Sequence, residues 1–474
     1  GLIKTGSGEL FCATNGNGAL SYSGATLVSG GTLTIATSTS RNGLNSSNIT
    51  VQGGATLRTL GGLGVSALPV FSDRAAVNVE SNGTINSDVP TISCGTLTAA
   101  SGAVITGGNG CLSLHATDTV SSVVATLGSL SLRRIILEPF TAVNPLQTLR
   151  FDGTGSGLSI GTDSGTAFSL RTGSSSGLMT FIMDVGDSPS ADVDLLVPFL
   201  NFRPGTGGFA LVKRGSGVMQ VNGQDWSFAS TPTLPVACSV EAGTLVWNSG
   251  TTNAVGVNFA SVTTAAGGTF QVGSNSLVGA VYVDVTDNGT LAFCRSDACV
   301  FSNAVSGSGS LVQRGRGTLT LTGTSPYSGG TTVRSGTLLV NAPGVLSGGG
   351  DVAVTGGTLG GNGAIAGPVA LGSAGTLLPG GSNTVGTLTL SNTGANALTL
   401  NGGTLLFDVS NVSGTCDQVA VAGTLVLNGA NLITLAFPSG TPPAGTYTLL
   451  TYAAKAGTGR SEEHTSELQS LTDI

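Results

Sequence analysis

Apolar and small polar residues alternate along most of this chain, in runs too short for helices. Within residues 309–341, GSLVQRGRGTLTLTGTSPYSGGTTVRSGTLLVN, Leu319 and Leu321 flank Thr320, and Leu338 and Val340 flank Leu339, with Val333 in a similar short run. A period of two is the pattern of a strand with one face buried. Gly315, Gly317, Gly323, Gly329, Gly330 and Gly336 separate these runs, so each strand ends at a tight corner where backbones approach closely.

The same phrase recurs. Lys4-Thr5-Gly6-Ser7-Gly8-Glu9-Leu10 leads to Tyr22-Ser23-Gly24-Ala25-Thr26-Leu27-Val28 and then Gly31-Thr32-Leu33. A further copy, Leu211-Val212-Lys213-Arg214-Gly215-Ser216-Gly217-Val218-Met219, is followed by Gly243-Thr244-Leu245. Glycine-led steps also start at Gly54, Gly83 and Gly95, while residues 112–210 are less regular and read as the same architecture carrying insertions. Later steps begin at Gly268, Gly289, Gly317, Gly336, Gly357, Gly375, Gly403 and Gly423, with spacings of 21, 28, 19, 21, 18, 28 and 20 residues. With the two 28-residue steps taken as insertions or missed copies, the period lies near twenty. Such a period predicts a solenoid, because one coil of about three short strands cannot bury its inner face without a neighbour. The expected fold is all-β, a right-handed parallel β-helix over residues 1–459, with its best repeats in 309–459.

The sequence K-x-G-x-G-T-L-x-L-x-G, then Y-x-G-G-T-x-V, then G-T-L resembles the autotransporter-associated β-strand repeat of bacterial passenger domains. Gly357-Thr358-Leu359-Gly360-Gly361-Asn362-Gly363-Ala364-Ile365-Ala366-Gly367-Pro368, Leu377-Leu378-Pro379-Gly380-Gly381, Asp417-Gln418-Val419 and Gly445-Thr446-Tyr447-Thr448-Leu449-Leu450 are similar to phrases found late in such rods. The likeness is strong over about 309–459, present over 1–35 and 209–250, and weak between. It implies an exported bacterial surface protein, a structural or adhesive passenger secreted by the type V route through a C-terminal outer-membrane barrel. The partner it implies is a host surface, a neighbouring cell surface or a glycan, and it implies no cofactor. Two other readings stand beside it: a polysaccharide-degrading β-helix lyase or glycosidase, and a surface stalk anchored by another route. From Arg460 the text changes to RSEEHTSELQS. This resembles translated sequencing-library adapter, so residues 460–474 are expected to be a non-native tail.

Composition narrows the classes. Only 9% of the 474 residues are charged, 76 are glycine, and 40% are hydrophobic. That apolar content sets the chain apart from disordered sequences, which combine low hydrophobicity with high net charge. A net charge of −7, with Lys and Arg scattered singly, lacks the basic stripe that phosphate backbones need, so nucleic acid is not an expected partner. The most apolar region, Leu130–Phe140, is broken by Arg133, Arg134 and Glu138, which excludes a membrane helix there. Gly1 already lies inside a repeat, so the native chain is expected to extend upstream, with any signal peptide outside this text.

Candidate chemistry is sparse. Outside the tail the one histidine is His115, and no second ligand or triad partner stands at a matching spacing, so it reads as a surface strand residue. Gly173-Ser174-Ser175-Ser176-Gly177 matches the nucleophile pattern G-x-S-x-G, but that elbow needs a strand before it and a helix after it. Gly360–Ile365 starts like a calcium-binding nonapeptide, yet Ile365 stands where Asp would bind the ion. The acidic cluster Asp184, Asp187, Asp192 and Asp194 has two readings: paired carboxylates, with Asp192 and Asp194 on the same side of a strand, and ordinary turn chemistry, which is favoured beside Gly, Ser and Pro. No catalytic, cofactor-binding or metal-ligating residue is assigned. Seven cysteines leave at least one unpaired. Cys294 with Cys299, and Cys94 with Cys111 about one coil apart, are candidate disulfides, and packing as small apolar residues is the equal alternative.

Overall fold

The computed structural model describes residues 1–14, 22–37, 46–61, 75–87, 94, 96–106, 111–116, 122–127, 131–132, 134–139, 146–151, 153, 158–160, 168–171, 179–189, 191–197, 200–203, 209–225, 236–249, 259–458, 460–462 and 471–472. They fall into two compact units, residues 1–249 with 255–260, and residues 250–254 with 261–474. Every described element is a strand. Nearly all pairings are parallel, the exceptions being Thr446–Tyr447 with Leu471–Thr472 and the single bridge Val409–Cys416. The chain is therefore a β-solenoid, and among its described residues no helix is long and apolar enough to cross a membrane.

In the first unit one parallel sheet takes a strand from every turn, from Leu2–Lys4, Thr26–Val28, Asn48–Val51 and Ala76–Val79 through to Phe209–Arg214 and Val236–Val240. Its registers stack Lys4, Val28, Val51, Val79, Ala99, Leu127, Phe151 and Val185 in one ladder, and every one of them is buried. Period-two alternation in the sequence thus becomes a continuous inner column, each large member contributing roughly 1.5–3 kcal/mol by leaving water. A second sheet, Glu9–Thr14 to Val104–Thr106, supplies the column Leu33, Leu57 and Ile85. From Cys111 onward two further parallel sheets replace it, one running from Cys111–Ala116 to Gln224–Asp225 and one including Leu195–Val197, Val218–Val221 and Gly243–Trp247.

In the second unit, from Ser310 onward, the chain visits three parallel sheets in rotation. One coil, for example, runs through Thr331–Val333, Thr337–Val340 and Val345–Leu346. Leu319, Leu338, Leu359, Leu377 and Leu405 form one buried column. Leu346, Ile365, Leu390 and Val421 form another. Arg460–Glu462 pairs with Ala430–Ala436 as the last strand of the sheet that holds the Leu319–Leu405 column.

The uneven spacing of the glycine-led steps has a geometric cause that its reading as insertion only partly anticipates. Thr290 pairs with Ser310, whereas Thr318, one motif later, pairs with Thr337 on another sheet. The 28-residue step from Gly289 to Gly317 is thus one ordinary coil plus a move to the next face. The step from Gly375 to Gly403 does span one enlarged coil, since Thr376 pairs with Thr404. The 20-residue step to Gly423 changes face again, because Thr424 lies in the sheet of Leu398–Asn401 and Thr404 pairs with Leu432.

Candidate functional site

The repeated phrase builds one local structure three times. At Lys4, Lys213 and Gln313 a strand ends with a side chain pointing into the inner column, although each of these residues is polar. Lys213 registers between Met183 and Val240, and all three are 0% exposed. Its Nζ donates to the carbonyls of Arg214, Gly215 and Ala242 at 2.7, 2.8 and 3.1 Å. Lys4 Nζ donates to Thr5, Gly6 and Gly30 at 2.8, 2.8 and 2.9 Å. The first two acceptors in each set are the next residues of the same corner, and the third belongs to the following coil. Three ammonium hydrogens therefore satisfy three carbonyls that the corner turns inward, where an unpaired polar group would be expensive.

Gln313 occupies the same place with a neutral amide. Its Nε2 donates to Gly315 and Gly317, both at 3.1 Å, and its Oε1 is buried with no partner. Gln271 repeats the arrangement, giving Nε2 to Gly273 at 2.6 Å. The chemical difference shows in protonation. Burial pushes Lys213 down to about 8, against the opposing pull of Asp184 and Asp194.

The next coil fits onto this corner through one glycine. Gly31, Gly243 and Gly336 have φ of 61°, 64° and 63°. A Cβ at any of them would overlap the carbonyl oxygens of the two glycines beneath, which are Gly6 and Gly8, Gly215 and Gly217, and Gly315 and Gly317. The following threonine N–H then bonds the second of those carbonyls, Thr32 to Gly8 and Thr244 to Gly217 at 3.2 Å, and Thr337 to Gly317 at 3.0 Å. Both the backbone conformation and the close approach demand glycine. The tyrosine phrase is a second fastener. Tyr22 shares a hydrogen bond with the Thr26 hydroxyl at 2.7 Å and Tyr327 with Thr331 at 2.5 Å. Burial pushes the Tyr327 hydroxyl up to about 12.

Of the two readings of the acidic cluster, the geometry at Asp192 and Asp194 agrees with the favoured one, turn chemistry, and does not place the two carboxylates on one strand face. Residues 191–194 are not a strand, and Asp192 is exposed while Asp194 is 0% exposed. Asp194 instead accepts the N–H of Ser188 at 2.7 Å and of Val218 at 2.6 Å, closing the turn. Asp187 is exposed, and Asp184 lies 3.5 Å from Arg150 on the surface. Ser-rich residues 172–178, with the G-x-S-x-G match, lie outside the described residues, as does the side chain of His115, whose backbone registers with Glu138 in a parallel pair. In the nonapeptide-like stretch Ile365 is a core residue and Asn362 accepts the Ala342 N–H at 2.9 Å, so this is a coil corner.

Cys294 is buried and Cys299 half-buried, both as thiols. Between them Arg295, itself buried, pairs with both oxygens of Asp297 at 2.9 and 2.7 Å and donates to the carbonyls of Leu277 and Gly279. Cys94 is buried, and the Cys111 side chain lies outside the described residues. Among the described residues no group of three or more His, Cys, Asp or Glu gathers as a metal site.

These fasteners coincide with what the chain resembles. The passenger-associated-transport-repeat family matches residues 2–35 and 311–340, the stretches that hold Lys4 with Tyr22 and Gly31, and Gln313 with Tyr327 and Gly336. The corner from Lys213 to Gly243 lies outside both matches and has the same geometry. The adhesin BmaC autotransporter of Brucella suis biovar 1 (strain 1330) is 32% identical over 260 residues. That alignment covers 44% of this chain and 7% of the relative's length.

Proposed function

We propose that this chain, two stretches of which match the passenger-associated-transport-repeat family, is a segment of an exported bacterial adhesin, displayed at the cell surface as a β-solenoid. The observation that carries this reading is the corner fastener, since its residues are those of the family-matched stretches and it recurs with the same bonds at Lys213. Each new coil needs only the finished coil below it to satisfy its corner carbonyls and fill its column. Folding of this kind advances one coil at a time, as a chain emerging through a membrane pore requires. The likeness to an adhesin supports attachment as the role of the display, with a cell-surface molecule or glycan of a host or neighbouring cell as the partner. A non-catalytic role fits the way the structure spends its polar side chains, on corners and turns.

The test uses the complete gene in its own bacterium. Protease added to intact cells is expected to release peptides from residues 1–459, and deletion of this segment is expected to reduce attachment of those cells to glycan-coated or cell-coated surfaces. Peptides released only after lysis would contradict the surface address. Full attachment by the deletion strain would contradict the adhesive role.

A further inference from the structure

The strand Thr404–Asp408 leaves its sheet for an excursion that returns at Asp417, and both ends of the excursion carry buried carboxyl groups. Asp408 is 3% exposed and Asp417 0%. The bridge Val409–Cys416 closes the excursion, and the Asp417 N–H donates to the Asp408 carbonyl at 2.8 Å. The Asp417 side chain does two further jobs. Its Oδ2 accepts the Asp408 N–H at 2.9 Å, and its Oδ1 accepts the Gly386 N–H at 2.8 Å. One carboxyl group thus joins the base of the excursion to the loop 380–386, which follows the buried Leu377-Leu378-Pro379 run.

Asp408 Oδ2 is buried and has no hydrogen-bond partner. The loop 380–386 and the strands Thr387–Leu390, Thr404–Asp408, Ala430–Ala436 and Leu450–Thr451 contain no Lys, Arg or His. The titratable groups beside Asp417 are Asp408 and the Cys416 thiol, which burial first, and Asp417 second, push up to about 11. Tyr447, on the neighbouring strand, gives its hydroxyl to the Pro443 carbonyl at 2.8 Å. A buried carboxylate beside a second negative charge lacks solvation and is repelled, so the folded chain favours the protonated form of Asp417 more than the unfolded chain does. Burial is the first cause that pushes Asp417 up to about 7, the Asp408 charge adds to it, and the two backbone N–H bonds oppose it.

We propose that the buried Asp417 carboxyl group is a proton-operated fastener, which holds the excursion Val409–Cys416 and the loop 380–386 to the coil while it keeps its proton, and loosens both when that proton leaves and the buried site beside Asp408 must hold a charge. The sign of the pH dependence follows. A carboxyl group raised on folding contributes stability that is complete in acid, and that stability is lost as pH rises from the unfolded value of 3.8 through about 7. This is the reverse of an ordinary ion-paired carboxylate.

The experiment is native-state hydrogen exchange on the whole chain, following the Gly386, Asp408 and Asp417 amides and correcting for the intrinsic rate at each pH. In the wild type these amides are expected to be about tenfold better protected at about pH 5.5 than at about pH 8. Asp417→Asn removes the titrating group and is expected to abolish that slope, while Asp408→Asn removes only the lesser cause and is expected to reduce it. Flat protection in the wild type would overturn the proposal, as would an unchanged slope in Asp417→Asn. Recovery of wild-type protection at the higher pH on adding calcium chloride would also overturn it, because a hard cation would then be the neutralising species. Should Asp417→Asn fail to fold, the wild-type profile with and without calcium decides alone.

Discussion

Lys213 and Gln313 stand at the same point of the same corner, one in each compact unit, and solve one problem with different chemistry. The ammonium brings three donors and no acceptor, so it satisfies three carbonyls and leaves nothing of its own unpaired. It also places a charge in an aliphatic column between Met183 and Val240. The amide avoids that charge but brings an acceptor the corner cannot use, and Gln313 Oε1 stays orphaned. The corner therefore selects for donors reaching inward, and charge is incidental to it. This explains how a motif that begins with Lys in two copies begins with Gln in the third without any change in the glycines that follow.

The largest effect expected is at the part of the corner that does not differ between the two. Gly336→Val and Gly243→Val each force a side chain into positive φ and into two carbonyl oxygens. Each should lower the unfolding free energy of its unit by about 3 kcal/mol or more in urea titration. Equal tolerance of valine at both sites would break the account of the shared corner. Next is the pH response that only the lysine corner should have. The folded state holds the Lys213 proton less tightly than the unfolded chain does, so stability should rise as pH goes from about 8 to 10.5. The rise should be on the order of 2 kcal/mol in urea titrations of the first unit's transition, and Lys213→Gln should flatten it. Tyr327→Phe removes the bond to Thr331 and should cost about 1 kcal/mol by the same assay. The smallest effect should be Gln313→Lys, within about 1 kcal/mol of wild type, because a third donor is gained and an orphan oxygen lost while a charge is buried. Separately, peptide mapping of the purified protein under non-reducing conditions is expected to find Cys294 and Cys299 as thiols, as they are here.

Much of this fold was legible because a solenoid repeats one local rule. Alternation in Thr318–Leu321 and Thr337–Val340 specified strands, and a period near twenty specified stacking. The face of each strand was not legible. Thr290 and Thr318 carry the same glycine-led phrase on different sheets, because the phrase encodes a corner and a coil has several. The site was hidden for a related reason. Lys4 and Lys213 were visible as repeated letters, but a lysine reads as a surface residue unless the carbonyls that surround it are known. Position offered a clue, since each stands in phase with the apolar residues of its strand: Lys213 follows Leu211, and Gln313 follows Leu311. Asp192 and Asp194 were legible as turn residues from the Gly, Ser and Pro beside them, and Asp194 serves that turn, but which N–H groups it binds was not.

The most direct test of the fastener account is the paired unfolding of Lys213→Met and Lys213→Gln. Methionine keeps the bulk and removes every donor, so the carbonyls of Arg214, Gly215 and Ala242 lose their partner. The account predicts a loss of about 3 kcal/mol for methionine and recovery of at least half of it by glutamine, the residue the chain itself uses at position 313. If glutamine is no better than methionine, or if methionine is neutral, the corner is not held by inward-reaching donors and the repeated phrase needs another explanation.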